Sequence, residues 1–401
     1  MDLRRARLAV TVAYVGQGVC FAALVSRVPA VQTKFALSDG ALGLIVGLVP
    51  IIAGVGSVVA GSLAEKHGSR PVLRVMGPVV PVALVAAGFA PTVALLLVAL
   101  VALGFALGSV DATMNIQGVR VQDDMGRPVV ASFYAAFSLA GFVGALLASA
   151  AAGTSMSLGV FFALIAVVLI PLQLAAGRFL LPGQPVPQPL HAVVAEGHVP
   201  RIHWRPVMLV GIALMCVYIA DSGASTFSAD YLHKASPQGL GSTESVAALA
   251  YAAYSLMTVA GRIMVDRTVD RFGPVRLVRV GGFTAVAAAC AIAIAPTPPV
   301  AIAAFALLGL AICPAIPLAF TAAASHDKTS SGVAVARVNV FNYVGFVVGA
   351  PLIGGIAQGA SLRWAFAALV PVLLVVPLLA SWFRIAPHQA PDLVTDSPAI
   401  P

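Results

Sequence analysis

The sequence predicts an all-α membrane protein of twelve transmembrane helices in two homologous six-helix halves. Three observations carry the prediction. Of 401 residues, 60% are hydrophobic and 9% charged, against roughly 25% charged in an ordinary soluble domain. A water-soluble fold of this size cannot hide so much apolar surface. The apolar residues fall into twelve runs, each near the ~20 residues that a helix needs to cross a bilayer. Features of the first half also return half a chain later, at a nearly constant offset.

The runs, numbered as spans 1 to 12, are 8–30, 41–63, 72–90, 92–116, 130–152, 157–178, 206–229, 243–264, 276–295, 298–323, 334–357 and 362–383. Arg4, Arg5 and Arg7 before the first run resemble the start of a signal peptide. That run is long enough to span and more spans follow, so it reads as a retained first helix. Short uncharged turns at Pro91-Thr92 and Pro296-Thr297-Pro298-Pro299 separate spans 3 from 4 and 9 from 10. The longest connection, 179–205, carries five prolines between 182 and 200 and reads as a solvated linker. The organisation is therefore an N-terminal half (1–178), a linker (179–205), a C-terminal half (206–384) and a proline-rich tail (385–401).

Orientation follows from Lys and Arg. Counting loops alternately from the N-terminus, only Arg27, Lys34, Lys234 and Arg363 of the 23 basic residues fall on the far side. That asymmetry places both termini and the linker in the cytoplasm, in the inner membrane of a bacterium. The net charge of +8 is scattered through short loops, which points to lipid headgroups and not to nucleic acid. Cys20, Cys216, Cys290 and Cys313 are isolated in apolar runs, and His191, His198 and His203 lie in the linker, so no metal-ligand spacing exists. Walker A, HExxH and GxSxG sequences are absent. The chain reads as neither an enzyme nor a cofactor protein, and transport would draw on an ion or solute gradient.

The repeat is visible residue by residue. Glu65 and Asp270, Gly68 and Gly273, Pro91-Thr92 and Pro296-Thr297, and Gly104 and Gly309 are each 205 residues apart. Gly141-Phe142-Val143 returns as Gly345-Phe346-Val347 at 204. Two parallel six-helix repeats around a central site are the arrangement of a transporter.

Only two acidic residues fall well inside predicted spans, Asp111 in span 4 and Asp221 in span 7. A carboxylate at the bilayer centre costs about 2.5–3.5 kcal/mol on insertion scales. Each must face a cavity, pair with a cation, carry a proton, or bond another helix. Asn115 lies four residues from Asp111, on the same helix face, and Arg27 in span 1 is a possible partner for Asp221. Asn339, Asn342, Tyr343 and Phe346 share a face of span 11. Tyr14 and Gln17 in span 1, and Tyr251, Tyr254 and Thr258 in span 8, add amide and phenol groups suited to hydroxyl-rich or modestly polar solutes. Bonding between helices is the other role open to each. Pro314 and Pro317 predict a bend in span 10, and Pro351 one in span 11.

The charged loop Gly61-Ser62-Leu63-Ala64-Glu65-Lys66-His67-Gly68-Ser69-Arg70 completes a pattern. With twelve spans and the 6+6 repeat, it resembles the major facilitator superfamily, whose hallmark loop reads Gly-x-x-x-Asp-Arg/Lys-x-Gly-x-Arg/Lys. Gly61, Glu65, Lys66, Gly68 and Arg70 fill it, with Glu for Asp. The second copy keeps Asp270, Arg271 and Gly273 and has Asp266 in the place of the first glycine. Asp111-Ala-Thr-Met-Asn115, Asp221-Ser-Gly223 and the stretch from Tyr343 to Gly354 look like a bacterial branch near the fucose permeases. At the span 7 site relatives carry Glu-Gly and a later Trp, where this chain has Asp221-Ser222-Gly223 and Phe227.

The resemblance implies a secondary transporter working by alternating access, with spans 1, 4, 7 and 10 lining a central cavity. It also implies that the charged loops latch the halves with the outer side open. Proton-coupled uptake of a small solute by a monomer in the lipid bilayer is the expected activity. Proton-coupled export of a drug or metabolite is the alternative. Against export, the superfamily's exporters usually carry an arginine early in span 4, and none lies between 92 and 119. Their span 5 Gly-Pro signature has its nearest match here in Gly349-Ala350-Pro351 of span 11. A solute sensor that does not transport is the alternative of another class.

Overall fold

The computed structural model describes residues 2–37, 39–154, 156–182, 202–234, 239–327 and 332–385. Most of the expected linker and almost all of the tail lie outside these residues, as does Lys328. The described chain is helical almost throughout. The first half holds α1 (Leu3–Ser26), α2 (Val28–Phe35), α3 (Asp39–His67), α4 (Ser69–Phe89), α5 (Val93–Met125), α6 (Val130–Gly153) and α7 (Leu158–Ala176). The second holds α8 (Trp204–His233), α9 (Glu244–Phe272), α10 (Pro274–Ile294), α11 (Pro298–Ile312), α12 (Ala315–Ser325), α13 (Val333–Gly359), α14 (Leu362–Ala367) and α15 (Leu369–Leu379).

Every predicted span has its helix or helix pair. Side-chain caps fix several starts: Asp2 accepts from the Arg4 N–H at 3.0 Å, and Thr92 from that of Leu95 at 3.3 Å, each satisfying an orphan backbone donor. Three spans are divided. Span 1 ends early, at Ser26, and Val28–Phe35 forms a separate short helix. Span 10 breaks into α11 and α12 at Cys313-Pro314, where proline cannot continue the ladder. Span 12 divides at Ala368. Pro351 leaves α13 undivided.

The helix of span 4 runs to Met125. At 33 residues it is about 50 Å long, longer than the ~30 Å hydrocarbon core, so Arg120, Asp123 and Asp124 ride on its end beyond the apolar run. Among the described residues eleven helices are long and apolar enough to cross a membrane. The remaining span lies in α9, a helix of 29 residues.

The repeat is physical. Gly68 (φ 83°, ψ 156°) and Gly273 (φ 76°, ψ 157°) adopt the same conformation at the two charged turns. That region of backbone space is open essentially to glycine alone. Gly104 on α5 abuts the Val49 carbonyl of α3, and Gly309 on α11 abuts that of Tyr254 on α9. Val49 and Tyr254 are themselves 205 residues apart, so corresponding helices meet at corresponding points. Such close backbone approach through small residues is how helices pack where lipid supplies no hydrophobic drive.

Candidate functional site

Polar contacts between α1–α7 and α8–α15 cluster, among the described residues, toward the end of the bundle that carries the starts of α1 and α8. There Gly61 on α3 lies against Ala336 on α13. The Ser57 hydroxyl donates to the Ala336 carbonyl at 3.2 Å and receives Asn339 Nδ2 at 3.2 Å. Gln122 on α5 reaches Thr321 on α12 at 3.4 Å. On the opposite flank, Asp266 of α9 caps the start of α6. Its Oδ1 accepts from the Ala131 N–H at 3.1 Å and its Oδ2 from that of Ser132 at 3.0 Å. A carboxylate at a helix N-terminus meets both the free donors and the positive end of the dipole.

One level further in sits Asp111, half-buried on α5. Gln17 on α1 donates to Oδ1 at 2.7 Å, and Tyr343 on α13 donates to Oδ2 at 2.5 Å. The second bond crosses between the halves. Asn342 donates to Asn339 Oδ1 at 3.3 Å, which extends the polar face of α13 toward the same point.

Asn115, one turn from Asp111, is closed off. Its Oδ1 accepts from Tyr14 at 2.7 Å and Tyr134 at 2.8 Å, and its Nδ2 donates to the Asp111 carbonyl at 2.8 Å. Tyr14 is fully buried, stacked on Phe133 with centroids 5.5 Å apart. These two residues join α1, α5 and α6 and present no free polar group.

Asp221 lies on α8, where Tyr254 on α9 donates to Oδ1. The expected pairing with Arg27 does not form. Arg27 donates to the Met156 carbonyl at 2.9 Å and lies over the Phe161 ring at 5.9 Å; the break after Ser26 turns it into its own half. The basic group within electrostatic reach of Asp221 is Arg262. Its guanidinium donates to Ser138 and lies 5.9 Å from the Tyr134 ring centroid, so it too crosses between the halves. Arg262 is one of the basic residues that the charge count places on the cytoplasmic side, and it falls within span 8. An arginine inside an apolar run was the signal that could have found it. Tyr134, Ser138 and Tyr218, which neighbour it, carried no such signal.

The loop residues divide. Gly61 and Asp266, corresponding positions in the repeat, both face the start of a helix of the other half. Glu65 and Lys66 are exposed, and among the described residues Glu65 has no ion-pair partner. Arg70 donates to the Arg178 carbonyl at 2.8 Å, within its own half. Arg271 stands over Phe272 at 5.3 Å, Asp270 is exposed, and so is Tyr251, at 47%. No group of three His, Cys, Asp or Glu suited to a metal exists among the described residues.

Comparison with known proteins completes the description. The sequence matches the Major Facilitator Superfamily over residues 10–236 and again over 210–401. It is 32% identical over 365 residues to an uncharacterized transporter of Sinorhizobium fredii, covering 90% of this chain and 94% of that one. It is 31% identical over 366 residues to an uncharacterized MFS-type transporter of Yersinia pestis, with 90% and 91% covered. The membrane protein MosC of Rhizobium meliloti is 27% identical over 369 residues, with 91% and 87% covered. The fold is similar to that of FucP in its outward conformation, with a TM-score of 0.75 at 15% identity over 94% of this chain and 98% of FucP. It is equally similar to the human organic anion transporter MFSD10, at 0.75 and 13% identity over 96% and 100%.

Proposed function

Because the chain belongs to the Major Facilitator Superfamily, and is thus a multi-pass secondary transporter, we propose that it couples uptake of a small polar solute to proton entry. It does so across the bacterial inner membrane, with both termini in the cytoplasm. The moving bodies are the halves 1–178 and 206–384, which rock about the face holding Asp111, Asp221, Arg262 and Tyr343 while the linker 179–205 spans them. With the termini inside, the clustered contacts close the cytoplasmic end, and this conformation faces outward.

The observation that carries the reading is the Asp111–Tyr343 bond at 2.5 Å. An ionised Asp111 is satisfied by Gln17 from its own half and by Tyr343 from the other, so deprotonation favours the outward-facing form. Symport requires the empty carrier to return in that form, whereas strict antiport forbids it. Protonation turns a charge-assisted bond, worth about 1.5–3 kcal/mol, into a neutral one worth about 0.5–1.5. The strut across the closed end weakens, and the loaded carrier opens inward. Asp221 with Tyr254, and the amides of Asn339 and Asn342, stand beside this path as solute contacts. The latch is carried by Gly61 and Asp266 in contact, with Gly68 and Gly273 shaping the turns and Glu65, Lys66, Arg70, Asp270 and Arg271 holding the loops in water.

The test is proton flux in proteoliposomes containing an internal pH dye, challenged with sugars, organic acids, amino acids and cationic drugs. Solute-triggered proton entry is expected. Proton exit on solute addition would establish antiport and export instead.

A further inference from the structure

A groove of about 600 Å³ opens at the turn between α9 and α10, and its wall includes Arg276, Arg279 and Arg384. All three arginines are exposed, and none has an ion-pair partner among the described residues. Among the described residues no acidic side chain lines the groove. The backbone at its floor is the start of α10, at Pro274, whose first turn adds free N–H groups and the positive end of the dipole.

The apolar surroundings continue in one direction. Phe272 (47% exposed) and Val280 (56%) line the groove. From Arg276 an exposed stripe then climbs α10 through Val280, Phe283, Ala287, Cys290 and Ile294, at helical spacing. Positive charge at the water boundary thus leads without interruption into a lipid-facing strip.

The corresponding place in the first half is built differently, although Arg74 and Arg178 are exposed there too. Arg74, the counterpart of Arg279 at the 205-residue offset, packs against Gly177. Arg70 is committed to the Arg178 carbonyl, and Leu180 and Leu181 are buried. The two halves therefore commit their arginines differently at this turn.

We infer that this groove binds the phosphate headgroup of an anionic phospholipid, with an acyl chain lying along the α10 stripe. Three guanidiniums supply bidentate donors matched to phosphate geometry, and the adjoining stripe favours a lipid over a free phosphate ion. The inference is independent of the transported solute and of the coupling ion.

Native mass spectrometry of the full-length protein in detergent tests it, with phosphatidylglycerol and phosphatidylcholine of the same chain length in equal amounts. The wild type should retain phosphatidylglycerol preferentially. Arg279→Gln should weaken that binding about fivefold, and Arg276→Gln/Arg279→Gln/Arg384→Gln about a hundredfold. Arg4→Gln/Arg127→Gln, which removes two exposed arginines elsewhere, should leave it unchanged. Equal retention of both lipids by the wild type, or equal phosphatidylglycerol binding by the wild type and Arg279→Gln, would overturn the site. Displacement of phosphatidylglycerol by an equal concentration of glycerol 1-phosphate would overturn the lipid as occupant, because a soluble phosphate would then suffice.

Discussion

Tyr343→Phe removes one hydroxyl and leaves the ring. In the structure that hydroxyl makes the 2.5 Å bond from α13 to Asp111 on α5, so the loss falls on the contact between the halves. A hydrogen bond to a charged group is worth about 1.5–3 kcal/mol. Asp111 is half-buried and water can replace part of the loss, which places the effect near the lower figure. The ratio of closed to open at the termini-bearing end should fall about tenfold. Electron spin resonance distances report it, using labels on Pro91→Cys and Pro296→Cys, exposed turns at the opposite end of the two halves, with the exposed Cys290 replaced by Ala. The distance distribution should shift toward the shorter, inward-facing separation. Gln17→Leu is the control. It removes the other bond to the same carboxylate, but Gln17 and Asp111 belong to the same half, so the distribution should not move. Identical distributions for Tyr343→Phe and the wild type would refute the reasoning.

Other outcomes follow from the same contacts. Asp266→Ala strips two backbone bonds from the start of α6 and should shift the equilibrium toward opening by about 1–2 kcal/mol; Glu65→Ala, at an exposed position, should shift it by less than half as much in the same assay. Asp221→Asn alters a bond to Tyr254 that lies within one half. It should leave the distance distribution within about twofold of wild type while changing solute-driven proton flux. Gly68→Ala and Gly273→Ala force a side chain into backbone reserved for glycine, and each should cost about 1–3 kcal/mol of stability, read as a lowered melting temperature in detergent.

Much of the fold was legible because membrane helices are written in composition. Twelve apolar runs became twelve helices or helix pairs, and the offset of 205 residues reappears as matched glycine contacts and matched turn conformations. The breaks were less legible. Pro314 announced the division of span 10, and Arg27 with Pro29, in the first turn of α2, marked the early end of span 1; a run counted by hydropathy alone passes over both, and with them the placement of Arg27. At the site, Asp111 and Tyr343 were singled out separately, one as an intramembrane acid and one as a member of a polar face. Their direct bond depends on how two halves meet, which no local pattern encodes. Asn115 shows the reverse: the spacing put it beside Asp111, and two tyrosines from other helices then occupied it. Asp266 looked like a departure from the loop pattern, the acid in the place of a glycine. In three dimensions that position faces the other half, so glycine gives close contact on one flank and a carboxylate gives a helix cap on the other.

The central claim is that the charge on Asp111 holds the termini-bearing end closed. The most direct measurement is the distance between the Pro91→Cys and Pro296→Cys labels as pH is lowered, in the wild type and in Asp111→Asn, with no solute present. An ionised Asp111 stabilises the closed form, so acid should move the wild type toward the inward-facing separation. Asp111→Asn should sit at that separation at every pH. A pH response of equal size in both proteins would contradict the account, because the proton would then be acting somewhere other than Asp111.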